Sequence, residues 1–222
     1  LLGPLRHRFT ALERAKEQGI GHYFVPRYTR VVDTAESKDN INKAYNLIST
    51  SKVRNEMIID DVITCVARKQ TPVILTRFKE HAKFLHDALK EKADHVFLLY
   101  GDNSDKENAE IRVKLKQIPE NESLILVATG QKIGEGFDFP RLDVLMLAAP
   151  VSFEGRLEQY VGRLNRDYVG KEAVYVYDYI DSHVRYFDKM YAKRLRTYRK
   201  TGFSIWTQES QPKQLVNAIF DS

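Results

Sequence analysis

From about residue 71 the chain alternates short, unbroken apolar runs with segments in which apolar residues return every three or four positions. The runs 73–76, 96–99, 124–128, 144–148 and 174–178 are rich in Val, Ile and Leu and have the length of strands. Between them, 78–92, 104–117 and 153–166 carry the helical period. Strands that are apolar at every position, not at alternate ones, belong to a sheet covered on both faces. The pattern therefore predicts an α/β fold, an open, doubly wound, mostly parallel sheet flanked by helices. In that architecture ligands bind beyond the carboxyl ends of the strands, where the loops carry the chemistry. Thr76 and Arg77 follow the first run, Thr129 and Gly130 the third, and the helix 153–166 follows the fourth by way of Pro150 and Ser152.

Upstream the pattern changes. Residues 1–8 and 23–32 mix basic and aromatic side chains and 33–40 is polar, which predicts a connector and linker over 1–50, ahead of a main domain over 51–200 and a tail over 201–222. Within 53–68, Ile58, Ile59, Val62, Ile63 and Val66 recur at helical spacing. Asp60 and Asp61 in the same stretch would suit a strand ending in metal-binding carboxylates, but the apolar period continues past them, so a helix packed on the sheet is expected. Near the end, 185–200 holds seven Lys or Arg against Asp188, interleaved with Tyr186, Phe187, Tyr191 and Tyr198. Such a mixture could grip a nucleic-acid backbone and stack on its bases. The expectation is a helix with a solvated basic face and an aromatic core face.

Composition narrows the class. With 222 residues, 43% hydrophobic and 29% charged, the chain has ample material for a core and the make-up of a globular protein. No apolar run approaches the roughly 20 residues that cross a bilayer, and no signal-peptide layout opens the chain, so no membrane partner is expected. Position 1 is not Met, which reads as a piece of something longer. The single Cys65, between apolar neighbours, points to a buried structural thiol and a reducing cytoplasm. A net charge of +5 mildly favours an anionic partner. The histidines show no metal-ligand clustering beyond His81 and His86, whose spacing fits one helix face poorly, and no nucleophile with its base stands out.

Two stretches carry chemistry. In Gln159-Tyr-Val-Gly-Arg163-Leu-Asn-Arg166 the glutamine and both arginines fall on one helix face at i, i+4 and i+7. Two guanidiniums on a stiff helix suit a triphosphate, because arginine stays charged and its planar fork matches phosphate oxygens. In Thr129-Gly130-Gln-Lys-Ile-Gly134-Glu135-Gly136-Phe-Asp138-Phe-Pro140 the glycines allow close backbone approach to a phosphate or sugar, and Asp138 can accept a ribose hydroxyl. A tight surface loop whose Asp caps the next turn is the plain alternative.

In combination and order, these two stretches resemble motifs V and VI of superfamily 2 helicases, and 71–85, with 73–77 as its strand, is similar to motif IV. The resemblance covers about 70–180, the C-terminal RecA-like lobe, whose fold belongs to the P-loop NTPase superfamily. Lacking the histidine of the RNA-acting DEAD-box pattern, the final motif is more similar to the restriction-enzyme and DNA-repair branches. Gly3-Pro-Leu-Arg6-His-Arg8 is similar to the connection that leaves the first lobe in bacterial helicases of that kind.

The resemblance implies that Arg163 and Arg166 are arginine fingers and that Gln159 senses the γ-phosphate or positions the attacking water. By the same route Gly136 and Asp138 approach the nucleotide, and Thr76, Arg77, Thr129 and Gly130 serve nucleic-acid contact. It further implies ATP with Mg²⁺ as cofactor, held mainly by an absent N-terminal lobe, and DNA as the nucleic acid. No Gly-x-x-x-x-Gly-Lys-Ser/Thr loop occurs; Gly170-Lys171-Glu172 lacks both the first glycine and the hydroxyl. The chain alone is accordingly expected to hydrolyse ATP negligibly. The C-terminal lobe of a two-lobed glycosyltransferase and a catalytically silent nucleic-acid-binding lobe stay open as alternatives.

Overall fold

The computed structural model describes residues 19–101, 103–130, 139–151, 154–164 and 168–206. In chain order the elements are β1 (Gly21–Tyr28), α1 (Ile41–Thr50), α2 (Lys52–Ala67), β2 (Pro72–Thr76), α3 (Lys79–Leu89), β3 (His95–Leu99), α4 (Asp105–Gln117), β4 (Leu124–Thr129), β5 (Val144–Leu147), α5 (Glu154–Leu164), β6 (Ala173–Ile180), α6 (Arg185–Thr201) and β7 (Ser204–Ile205). The strands form one seven-stranded sheet in the order β3-β4-β2-β5-β6-β1-β7, and every pairing is parallel. After β4 the chain crosses β2 to reach β5, so the sheet's topological switch lies where these three strands end.

Local chemistry sets the helix boundaries. Asn40 caps α1, its Oδ1 accepting from the amides of Asn42 and Lys43. Ser104 and Glu107 close a reciprocal capping box at the start of α4. α6 stops at Gly202, whose φ of 73° is open to glycine. There the amides of Gly202 and Phe203 return to the carbonyls of Arg199 and Tyr198, which satisfies two of the last orphan acceptors.

β2, β4 and β5 are buried at every residue, as their unbroken apolar runs require. One sheet face carries Val73, Leu75, Leu126 and Leu145 against Leu115 of α4, Tyr160 and Leu164 of α5 and Tyr198 of α6. The other carries Ile74, Ile125, Val127 and Met146 against Ile58 and Val62 of α2 and Leu85 and Leu89 of α3. A third cluster joins Tyr45 and Ile48 of α1 to Ala149, Val184 and Phe187, over the carboxyl ends of β5 and β6. Among the described residues no helix is long and apolar enough to cross a membrane.

The sheet also includes Gly21–Tyr28, which the sequence pattern assigns to the connector, and Ser204–Ile205, which it assigns to the tail. β1 pairs with β6 along its whole length, from Gly21 opposite Ala173 to Tyr28 opposite Ile180. Its mixed composition and Pro26 hide it from a search for apolar runs, because its inner half alternates buried and half-buried positions. α2 runs straight through Asp60 and Asp61, as the helical period predicts, and Asp61 accepts from Arg27 Nε at 2.8 Å and Tyr179 Oη at 3.0 Å. Cys65 is fully buried, and burial pushes its thiol up to about 12, which makes it inert.

Candidate functional site

The loop 148–151, which leads from β5 into α5, is fixed by its carbonyls. The Ala148 oxygen accepts from Arg54 Nη1 at 2.8 Å, Pro150 from the Tyr45 hydroxyl at 2.8 Å and Val151 from Arg194 Nη1 at 3.1 Å. The Ala149 amide reaches the Leu75 carbonyl of β2 at 3.0 Å. Both arginines are buried and need counter-charges. Asp181, just past β6, takes Arg54 through both carboxylate oxygens at 2.9 and 3.1 Å and also accepts from the Thr29 hydroxyl. Asp178, within β6, takes Arg194 through both oxygens at 2.8 Å and the Tyr198 hydroxyl at 3.0 Å. Three helices, α1, α2 and α6, thus converge on the segment that aims α5.

α5 itself is tied to the end of β4. Tyr160 lies on the buried side of α5, and its hydroxyl donates to the Gly130 carbonyl at 3.0 Å. A helical side chain leans toward the helix N-terminus, which is how Tyr160 reaches the carboxyl edge of the sheet. A Cβ on Gly130 would stand 2.8 Å from that hydroxyl. Gly130→Ala should therefore cost about 1–3 kcal/mol by overpacking, and Tyr160→Phe about 1 kcal/mol by losing the bond. The double variant should cost less than the sum, since phenylalanine lacks the atom in the way. Urea melts of the three variants check this, and a strictly additive cycle would contradict the contact.

At the other end of α5, the Lys171 ammonium donates to the carbonyls of Leu164 and Leu142, both at 2.8 Å, and to that of Pro140. The lysine of the Gly170-Lys171 fragment is thus engaged at a helix C-terminus, where a cation is favoured.

Beyond β2, Thr76 is buried and its hydroxyl meets His81 Nδ1 at 2.7 Å, while His81 Nε2 meets Asn55 Oδ1 at 2.9 Å. Asn55 Nδ2 donates to the Ser49 carbonyl at 2.8 Å, so its Oδ1 must accept from the ring. The proton therefore sits on Nε2, and Nδ1 accepts from Thr76. Burial and the nearby Arg54 guanidinium push the His81 pKa down from 6.5 to about 3. His81, Asn55 and Ser49 line a groove of about 830 Å³ between α1, α2 and α3, together with Ile59, Phe78 and Phe84.

The unfolded ring takes a proton near pH 6.5 and the folded one only near pH 3. Stability is whole above the unfolded value and is lost as acid charges the unfolded chain, about 2 kcal/mol of it by pH 5. Asp143, which burial pushes up to about 6, gains stability over part of that range and masks the loss. Urea melts at pH 7.5 and 5.0 should show wild type losing about 2 kcal/mol more than His81→Asn; equal losses would exclude His81 as the source.

The structure brings Thr76, Arg77, Thr129 and Gly130 to neighbouring strand ends, since Thr76 pairs in register with Thr129. Arg77 is exposed, with its guanidinium 4.4 Å from the centre of the Tyr45 ring. On α5, Gln159 is exposed and Arg163 half-buried, one turn apart and flanking Tyr160. Gly136, Asp138 and Arg166 lie outside the described residues. Sequence reasoning missed Tyr45, Arg54 and Arg194, whose partners are 105, 127 and 16 residues away. A buried-looking arginine on an apolar helix face, Arg54 in the turn before Ile58, was the one available signal.

No family model matches the chain. It is 28% identical over 172 residues to the transcript termination protein A18 of Yaba-like disease virus, a match that takes in 72% of this chain and 35% of that protein. It is 33% identical over 118 residues to the putative helicase 161L of Invertebrate iridescent virus 6, covering 52% of this chain and 22% of that protein. The chain therefore spans about a third or less of the length of these relatives. Among solved structures, T4 UvsW superposes with a TM-score of 0.65 at 19% identity, over 90% of this chain and 42% of that one. In fold the chain is a RecA-like α/β lobe, and in sequence it is similar to a viral transcript termination protein and to a putative viral helicase.

Proposed function

We propose that this chain is the second motor lobe of an ATP-dependent DNA helicase or translocase of the restriction-enzyme and DNA-repair type. The observation that carries the reading is α5. It presents Gln159 and Arg163 on a helix that Tyr160 and the loop 148–151 hold at the switch point of a RecA-like sheet. Similarity to a putative helicase supports it. A nucleotide's γ-phosphoryl group, brought by a first lobe with Mg²⁺, would meet the guanidinium of Arg163, and by its place in the motif that of Arg166. Arginine suits this because its fork matches phosphoryl oxygens and its charge opposes the negative charge that spreads over them. Gln159 would orient the attacking water, and Gly136 and Asp138 would face the nucleotide. On the nucleic-acid side the roles divide by exposure: the Arg77 guanidinium is available to a phosphate, whereas Thr76, turned inward onto His81, holds the strand end. Thr129 and Gly130, the latter with its carbonyl held by Tyr160, would contribute through backbone by their place in the motif.

The test is ATP hydrolysis by the natural polypeptide that carries this chain, with and without DNA, beside its Arg163→Ala variant. Stimulation by DNA that collapses in the variant is the expected result. An equal, unstimulated rate in both would overturn the reading and favour a silent lobe. Measurable turnover by the 222-residue chain alone would contradict the need for a first lobe.

A further inference from the structure

The positive charge of this protein sits in one helix. The whole chain has 35 Lys and Arg against 30 Asp and Glu. α6, RYFDKMYAKRLRTYRKT, contributes seven of the cations and one of the acids, a net of +6. The remaining residues then hold 28 cations and 29 acids, a net of −1. Arg194, one of the seven, is buried and neutralised by Asp178. The other six, Arg185, Lys189, Lys193, Arg196, Arg199 and Lys200, are all exposed.

At 100° per residue these six fall within an arc of about 120°, which makes them a stripe along one side of α6. From Arg185 to Lys200 it runs roughly 22 Å at 1.5 Å per residue, a mean of ~4.5 Å from one cation to the next. None of the six forms an ion pair with a carboxylate among the described residues. A helix whose like charges repel at i, i+4 gives up stability for that arrangement. Its other side is committed to the core through Phe187 and Tyr198.

We infer that the exposed stripe of α6 is a second nucleic-acid contact of the lobe, one that grips the phosphate backbone of a duplex without reading sequence. Three observations choose the occupant. The cation spacing approaches the ~3.4 Å axial spacing of phosphates along one duplex strand. The stripe carries no aromatic platform of the kind that holds single strands, because the aromatic residues of α6 face inward or to its flank. A membrane surface would need a free apolar face on the same helix, and that face is buried. The stripe shares no residue with Thr76, Arg77, Thr129, Gly130, Gln159 or Arg163. The inference rests on the proposed function only for the presence of a duplex nearby.

The test uses the 222-residue chain and a fluorescently labelled, arbitrary-sequence 20-base-pair DNA duplex, with anisotropy read over a salt series. Lys193→Gln/Arg196→Gln removes two stripe cations, while Lys90→Gln/Lys92→Gln removes two exposed cations beyond α3, on the opposite face of the sheet. Each lost phosphate contact should make the plot of log affinity against log salt shallower by ~0.9, so the stripe variant should lose ~1.8 in slope and roughly 60-fold in affinity at 0.1 M salt. The control pair should stay within twofold of wild type. The duplex titration needs neither nucleotide nor a first lobe, so a failed ATPase test would leave this result standing. Equal weakening by the control pair would reduce the effect to net charge and overturn the inference. So would equal or tighter binding of a single strand, or of phosphatidylserine vesicles. Circular dichroism of both double variants shows whether α6 stays folded, and Lys193→Arg/Arg196→Lys, which keeps the charge, should bind as wild type.

Discussion

Asp178→Ala should lose about 3–5 kcal/mol of folding stability, the usual cost of stripping one partner from a buried ion pair. Asp178 has no exposed surface and accepts three hydrogen bonds, two from Arg194 and one from Tyr198. Truncation leaves a guanidinium buried without its counter-charge and a phenol without its acceptor. The loss is specific to breaking the pair: Asp178→Ala/Arg194→Met, which removes both charges and keeps apolar bulk, should recover a large part of it. Urea melts of the two variants measure the difference, and a single-variant loss below 1 kcal/mol would mean that water reaches the pair. Because Arg194 also holds the Val151 carbonyl, the single variant should loosen the entry to α5 as well.

On the proposed function, Arg163→Ala in the natural polypeptide that carries this chain should reduce DNA-stimulated ATP turnover by roughly 10³-fold or more, the range found when an arginine finger is removed from phosphoryl-transfer enzymes. The loss should fall on kcat, because the guanidinium acts on charge that develops in the transition state, and substrate binding is shared with other groups. Arg163→Lys keeps the charge but not the planar fork and should restore only a small part of the rate. Steady-state kinetics at saturating DNA, with affinity for the DNA measured separately, distinguish this from a binding defect. A variant that retained more than a tenth of wild-type kcat would exclude Arg163 from the reaction.

The central part of the fold was legible because burial on both faces forces it into the sequence. β2, β4 and β5 must be apolar throughout, and the amphipathic helices between them must keep a 3.6-residue period. β1 was not legible, since five of its eight residues are only partly buried and it contains a proline. For the site, the Gln159 and Arg163 spacing could be read because it is local to one helix. The carbonyl clamp on 148–151 could not, since its donors come from α1, α2 and α6 and meet only in three dimensions. Arg194 was counted as one more charge in a basic run, although it is the one cation there that turns inward to Asp178.

β1 has a further consequence, for how the molecule behaves in company. β7 covers it only at Tyr23 and Phe24. The Phe24 carbonyl points to that side, where the Trp206 amide meets it, whereas the amides of Gly21 and Thr29 point to β6. By the two-residue alternation of a strand, position 26 also faces outward. A proline there has no N–H to offer, so of the two outward positions that β7 leaves uncovered among the described residues, 26 and 28, the first has no donor for a neighbouring chain. The residue that disguised β1 in the sequence is thus also the one that takes a donor from this edge and makes it a poorer template for another strand.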